Sequence, residues 1–229
     1  MRGPHNIFRL IRTGATLERT GAMNVILDAY NAPWGVRLAA KILGWPFQWL
    51  GYKGDPNMPP ATRALTALGP AYIKFGQILS TRPDVVGDEL AVQMRVLQDK
   101  LPPFPMEKAR EMIEAELEQP LEAVFSIFSE PVAAASIAQV HRATLVSDGA
   151  DVAVKVLRPG IEKAFRRDID AFYFAARMIE ILAPGARRLR PLDVIAHFEG
   201  VVMGELDLRL ESSAAGEFAA NTISDAGFQ

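Results

Sequence analysis

Between Phe125 and Arg158 the apolar residues of the chain leave the helical spacing they keep elsewhere and begin to alternate. Residues 128–135, 138–146 and 151–157 read as three strands, and Ser147-Asp148-Gly149-Ala150 suits a hairpin turn between the last two. One short antiparallel meander with helices on both sides puts the fold in the α+β class.

Breaker residues bound the helices. Residues 6–50 keep a helical pattern interrupted at Asn31-Ala32-Pro33, where the proline restricts its predecessor and opens a second helix. Asp55-Pro56-Asn57-Met58-Pro59-Pro60 continues no helix and marks a boundary. Helices are then expected over 60–81, kinked or split at Gly69-Pro70, and over 87–99. Leu101-Pro102-Pro103-Phe104-Pro105 is a stiff connector, and an acidic amphipathic helix fills 107–119. After Arg158-Pro159-Gly160 come helices over 161–182 and, beyond Pro184-Gly185, over 191–221. The organisation expected is a helical extension (1–58), a helical element (59–125) and a sheet-bearing part (126–229).

Charge and aromatics single out the extension. Residues 1–60 carry seven of the 25 Lys/Arg but only three of the 27 Asp/Glu, so the body is acidic beneath a net charge of −2. All three tryptophans (Trp34, Trp45, Trp49) lie there beside Phe47 and Tyr52, a mixture that suits a membrane interface and equally suits an amphipathic helix packed on its own domain. Asp28, Arg37, Lys41 and Gln48 interrupt the stretch before it reaches the ~18 apolar residues a spanning helix needs. With no cysteine, disulfides, Cys-based zinc sites and thiol catalysis are excluded. The expected location is cytoplasmic, extending to the inner face of a membrane as a peripheral protein. Nucleic acid is not an expected partner of an acidic body without a recognition motif.

Four short motifs can carry chemistry. Val152-Ala153-Val154-Lys155 ends a strand on a lysine, as in the V-A-I-K pattern whose lysine holds nucleotide phosphates; a strand ending at a solvated lysine reads the same in isolation. Upstream, Ala133-Ala134-Ala135-Ser136 leads a loop standing where a typical kinase has glycines. Alanine still permits close backbone approach but resists positive φ, so this loop is expected to be stiffer. Glu205, Asp207 and Glu211 lie on an acidic helix that could return a carboxylate to the lysine. At ~100° per residue Asp207 and Glu211 share a face, with Arg209 as a counter-charge in the bland reading. Lys74 and Gln77, three residues apart, share another helix face, where Gly76 permits close packing.

Residues 68–84, which contain Lys74-Phe75-Gly76-Gln77, followed by Leu97-Gln98-Asp99 and Leu101-Pro102-Pro103-Phe104, resemble the UbiB family of atypical protein-kinase-like proteins. The other motifs follow in that family's order: the alanine-rich loop, the strand lysine Lys155, and E-x-D at Glu205 and Asp207. The resemblance covers 60–229, the first 60 residues matching only in being helical and basic. It implies a kinase-like N-lobe preceded by a helical element whose K-x-G-Q face lies over the cleft. It also implies that Lys74 meets Glu205 or Asp207, that Lys155 pairs with Glu211, and that Ala133, Ala134, Ala135, Ser136 and Lys155 contact ATP. Family members are associated with ATP and Mg²⁺, ATP hydrolysis and ubiquinone (coenzyme Q) biosynthesis at a membrane, with an isoprenoid quinone precursor and other quinone-biosynthesis proteins as implied partners. Ala138 departs from the family's usual glycine. No catalytic-loop Asp, Asn or metal-binding Asp is recognised, Asp225-Ala226-Gly227 is assigned no metal role, and the C-lobe is expected to be missing, so that the chain alone would be inactive and hold ATP weakly. The alternatives are a non-enzymatic module for a membrane or isoprenoid lipid, and a remnant of a disrupted gene.

Overall fold

The computed structural model describes residues 5–97, 102–182, 184–223 and 225. Gln98, Asp99 and Leu101 of the resemblance, and Ala226 and Gly227, lie outside them. Two compact units are present, Met1–Ala175 and Ala176–Gln229.

The first unit opens with α1 (His5–Thr20), α2 (Ala22–Ala29) and α3 (Trp34–Gly44), followed by a 3₁₀ turn over Trp45–Leu50. The break at residues 31–33 is as expected. A further break falls at Gly21, whose φ of 82° only glycine adopts without strain, so the first expected helix is two. Pro60, Pro70 and Pro83 then open α4 (Pro60–Leu68), α5 (Pro70–Ser80) and α6 (Pro83–Val86), where a missing N–H costs nothing. α7 (Asp88–Arg95) ends short of residue 99. Ala61, Ile73, Val86, Leu90, Ala91, Met94 and Leu97 form one buried cluster, and Val25, Ile26 and Ala29 of α2 pack against it. The extension therefore shares a core with the helices that follow it.

Past the connector come α8 (Met106–Leu117), the single turn α9 (Leu121–Val124), which the sequence pattern does not reveal, and the sheet. β1 (Phe125–Ala134), β2 (Ala138–Leu145) and β3 (Asp151–Leu157) pair antiparallel in the order β1-β2-β3, so β2 is central. β1 begins three residues earlier than its apolar pattern suggests. Its register shifts on both sides of Pro131, as expected where a proline on an edge strand cannot donate to the ladder. One face covers a second core of Ile113, Leu121, Phe125, Ala143 and Val156, with Phe104 of the connector packed against it. α10 (Ile161–Leu182) follows β3.

The second unit holds the end of α10, a 3₁₀ turn over Pro184–Leu189, α11 (Pro191–Leu206) and α12 (Leu208–Thr222). Residues 191–221 are thus not one helix. Asp207 adopts φ −89°, ψ 87° and its side chain accepts the N–H of Arg209, so it ends one helix and caps the next. Aspartate favours that role because its short carboxylate satisfies a first-turn donor that a helix leaves orphaned.

Candidate nucleotide-phosphate site

Alternation along β3 sends Val152, Val154 and Val156 to the core face, and Asp151, Ala153 and Lys155 to the other, exposed face. Val140 of β2 pairs with Ala133 of β1 on one side and with Lys155 on the other. Ala133, Val140 and Lys155 therefore form one row across all three strands, because directly opposed residues share a face. The loop alanine and the strand lysine, found separately in the sequence, share one face of the sheet, whose other end carries the Arg142–Asp151 ion pair.

The loop itself is tight. Ala135 N–H donates to the carbonyl of Ala138 at 2.8 Å, leaving Ser136 and Ile137 at the tip. Two-residue hairpins usually rely on primed turns with positive φ. Here no residue from Ala133 to His141 has positive φ, which is how alanine can stand where glycine is usual. Among the described residues, neither Ser136 nor Ile137 donates its backbone N–H to a backbone carbonyl. Ser136 is buried, 1% exposed, so of the two tip residues only the half-buried Ile137 offers its amide to an anionic oxygen.

Arg158 fastens this loop. Its backbone N–H donates to the Ile137 carbonyl at 2.8 Å, Nε to the Ala135 carbonyl at 2.9 Å and Nη2 to the Pro102 carbonyl at 2.8 Å. Its guanidinium carbon lies 5.9 Å from the centre of the Phe104 ring. On the core face of β2, the fully buried Gln139 accepts the Phe104 N–H at 2.9 Å and its Nε2 lies 2.9 Å from His141 Nε2, while His141 Nδ1 lies 2.8 Å from the Ser129 carbonyl. The sequence reading gave Arg158 only a turn and Gln139 no role. The available signal was a Gln-x-His pair at period two among core-facing strand residues, since buried polar groups need partners.

On α5, a Cβ at Gly76 would sit 2.4 Å from Leu97 Cδ1 and 2.5 Å from Leu65 Cδ1, so the glycine does permit close packing. Gln77 Nε2 reaches the Leu97 carbonyl at 3.5 Å, and Lys74 is half-buried on the same helix. α5 is moored to α10: Tyr72 meets Phe172 edge-on with ring centres 4.7 Å apart, and Phe75 lies 5.2 Å from the same ring.

Glu205, Asp207 and Glu211 belong to the second unit. The three carboxylates are not on one helix as expected: Glu205 lies at the end of α11, whereas Asp207 caps α12 and Glu211 stands in its first turn. Asp207 is held instead by Arg209, whose Nε lies 2.9 Å from its carboxylate and whose hydrogen bond keeps that carboxyl below the ordinary range. Among the described residues no group of three or more His, Cys, Asp or Glu side chains gathers closely enough for a metal ion, and no helix is long and apolar enough to cross a membrane. Among the described residues, those whose chemistry fits a nucleotide fit its phosphate end: Lys155, the Ile137 amide and the alanines beside them.

Residues 96–229 match the model of the ABC1 atypical kinase-like domain. The chain belongs to that family. Curated relatives called "Probable protein kinase UbiB" include one from Shewanella baltica (strain OS155), 41% identical over 223 residues, covering 97% of this chain and 39% of the relative. Another, from Pseudomonas paraeruginosa, is 42% identical over 217 residues, covering 93% and 40%. The UbiB resemblance drawn from the motifs is borne out, and its extent is corrected: at 97% coverage the likeness continues into the first 60 residues. This ABC1-family chain spans about two fifths of the length of those relatives. No solved structure matches it significantly.

Proposed function

We propose that these residues form the phosphate-gripping wall of a UbiB-type atypical kinase or ATPase serving ubiquinone biosynthesis. Lys155 contacts the phosphates of Mg-ATP, the amide of Ile137 takes an anionic oxygen, the buried Ser136 shapes the tip behind it, and Ala133, Ala134, Ala135, Val140 and Ala153 offer a small-residue surface to the nucleotide. Bound Mg²⁺ would supply charge neutralisation for phosphoryl transfer. The reading is carried by the row Ala133–Val140–Lys155, which sets the lysine on the same face as the loop. Titrating Mg-ATP into the ¹⁵N-labelled chain tests this. Shifts are expected at Ser136, Ile137 and Lys155, and they should be absent in Lys155→Ala. Shifts that survive that substitution, or that map elsewhere, would sink the proposal.

A second reading concerns the extension. Trp34, Leu38 and Ile42 recur every four residues along α3 and are exposed, Trp34 by 78%, with Trp49 also exposed nearby in sequence. A stripe of this size suits insertion at a phospholipid surface, with Lys41 meeting anionic headgroups. Sedimentation with anionic vesicles should fall when Trp34, Leu38 and Ile42 are all changed to Ser; undiminished sedimentation removes α3 as the contact.

A further inference from the structure

We propose that Arg158 is the positioning residue of the alanine loop, a clamp that sets the loop's height above the nucleotide face by tying it to the Pro102–Phe104 connector. Three observations converge on this one residue. It holds the carbonyl of the tip residue Ile137 through its backbone and that of Ala135, which precedes the tip, through its side chain. The same guanidinium reaches the Pro102 carbonyl, so loop and connector share one planar fork that a lysine cannot reproduce. Gln139 then fixes the next connector amide but one, Phe104 N–H, to the central strand. The connector is thereby secured on both sides of Pro103.

The consequence is mechanical. Glycine loops over nucleotides close by flexing; an alanine loop at negative φ with the Ala135 and Ile137 carbonyls both bonded has little freedom to do so. The tip amide of Ile137 is presented at a fixed position, and the loop moves only if the connector moves with it. Because the connector follows the K-x-G-Q helices along the chain, a displacement in those helices is passed covalently to Pro102 and from there to the loop through the Arg158 hydrogen bonds. Arg158 acts through the loop backbone rather than on a ligand. What that means for phosphate binding rests on the nucleotide reading above, whereas the clamp is a property of the chain by itself.

Hydrogen exchange in the full 229-residue chain separates the two. Arg158→Met keeps the aliphatic stem over Phe104 and removes every side-chain donor. The amides of Ala135 and Arg158, which close the loop, are then expected to exchange about tenfold faster or more, with amides in the middle of β2 unchanged. Arg158→Lys, which keeps the charge and one donor head, should restore part of the protection and decides the matter if the methionine variant does not fold. Unchanged exchange at residues 135 and 158, or equal acceleration throughout the sheet, overturns the clamp. Addition of Mg-ATP to the unaltered chain should slow exchange at Ile137. If it does not, the nucleotide reading falls while the clamp still stands on the first measurement.

Discussion

The guanidinium of Arg9 meets the carboxylate of Asp168 at 2.5 Å, joining the first helix of the chain to the helix that follows the Lys155 strand. Both side chains are largely buried, and burial pushes the Asp168 carboxyl up while Arg9 and Arg167 pull it down. Removing the cation leaves a carboxylate short of compensation. Arg9→Gln is expected to cost about 1–3 kcal/mol at pH 7, with Asp168→Asn in the same chain recovering part of it. A raised carboxyl contributes stability that is lost as pH rises through its folded value, so the Arg9→Gln deficit should grow from pH 4 towards 7. Strictly additive effects in urea denaturation would show that the pair is not coupled.

Tyr72, on the K-x-G-Q helix, has its hydroxyl 2.8 Å from that of Thr13. Burial drives its phenol up to about 12, the Asp168 charge adding to that and the Thr13 bond and Arg9 opposing it. The folded form therefore holds this proton more tightly than the unfolded chain, whose phenol titrates near 10. Stability from this group is intact below pH ~10 and lost between ~10 and ~12. Tyr72→Phe should cost about 0.5–1.5 kcal/mol at neutral pH and flatten the alkaline decline. Parallel alkaline profiles for the two chains would contradict it.

The sheet was legible because its signal is local: alternation and an Asp-Gly turn are read within a few residues, and β3 falls where the pattern puts it. Pro60 and the Gly69-Pro70 break marked helix boundaries for the same reason, whereas the single turn that Pro83 opens was not expected. Asp207 was misjudged because helical periodicity runs through it undisturbed, and only its side chain, which caps the next helix, reveals the break. The site was legible as motifs and not as a geometry. Nothing in Val152–Lys155 says that Val140 will set Ala133 beside the lysine, since strand register is fixed by the whole core face. Arg158 was invisible because its partners are backbone carbonyls, which every residue has.

Gly51 lies where the chain returns against α1 after the 3₁₀ turn. A Cβ there would stand 2.4 Å from the Ala15 carbonyl oxygen and 2.5 Å from its carbon, and backbone cannot step aside as a side-chain tip can. Its carbonyl also accepts from Arg19 at 2.8 Å. Gly51→Ala is expected to destabilise by about 1–3 kcal/mol. Gly14, inside the same α1, has nothing within 4 Å of its would-be Cβ. There, Gly14→Ala should stabilise by about 0.5–1 kcal/mol. Melting temperatures that move in the same direction for both variants would mean that the segment after the 3₁₀ turn does not pack on α1 as described.

His141 offers a direct check on the network behind the loop. The Ser129 carbonyl can only accept, so the Nδ1 facing it must carry the ring proton. Nε2 is then the acceptor of a hydrogen bond from the Gln139 amide nitrogen, which turns the amide oxygen towards the Phe104 N–H. Each bond fixes the direction of the next, and Phe128 stacks on the ring at 4.6 Å to hold its plane. Nitrogen NMR at neutral pH should therefore show the Nδ1–H tautomer; an Nε2–H signal would reverse the chain of bonds and free Gln139 from the connector. Gln139→Leu leaves the Phe104 N–H and His141 Nε2 unpaired in a dry setting, each costing about 1–3 kcal/mol. Because the Phe104 end of the connector is then loose while Arg158 still grips Pro102, the Phe104 amide should exchange faster in that variant than the amide of Ala135.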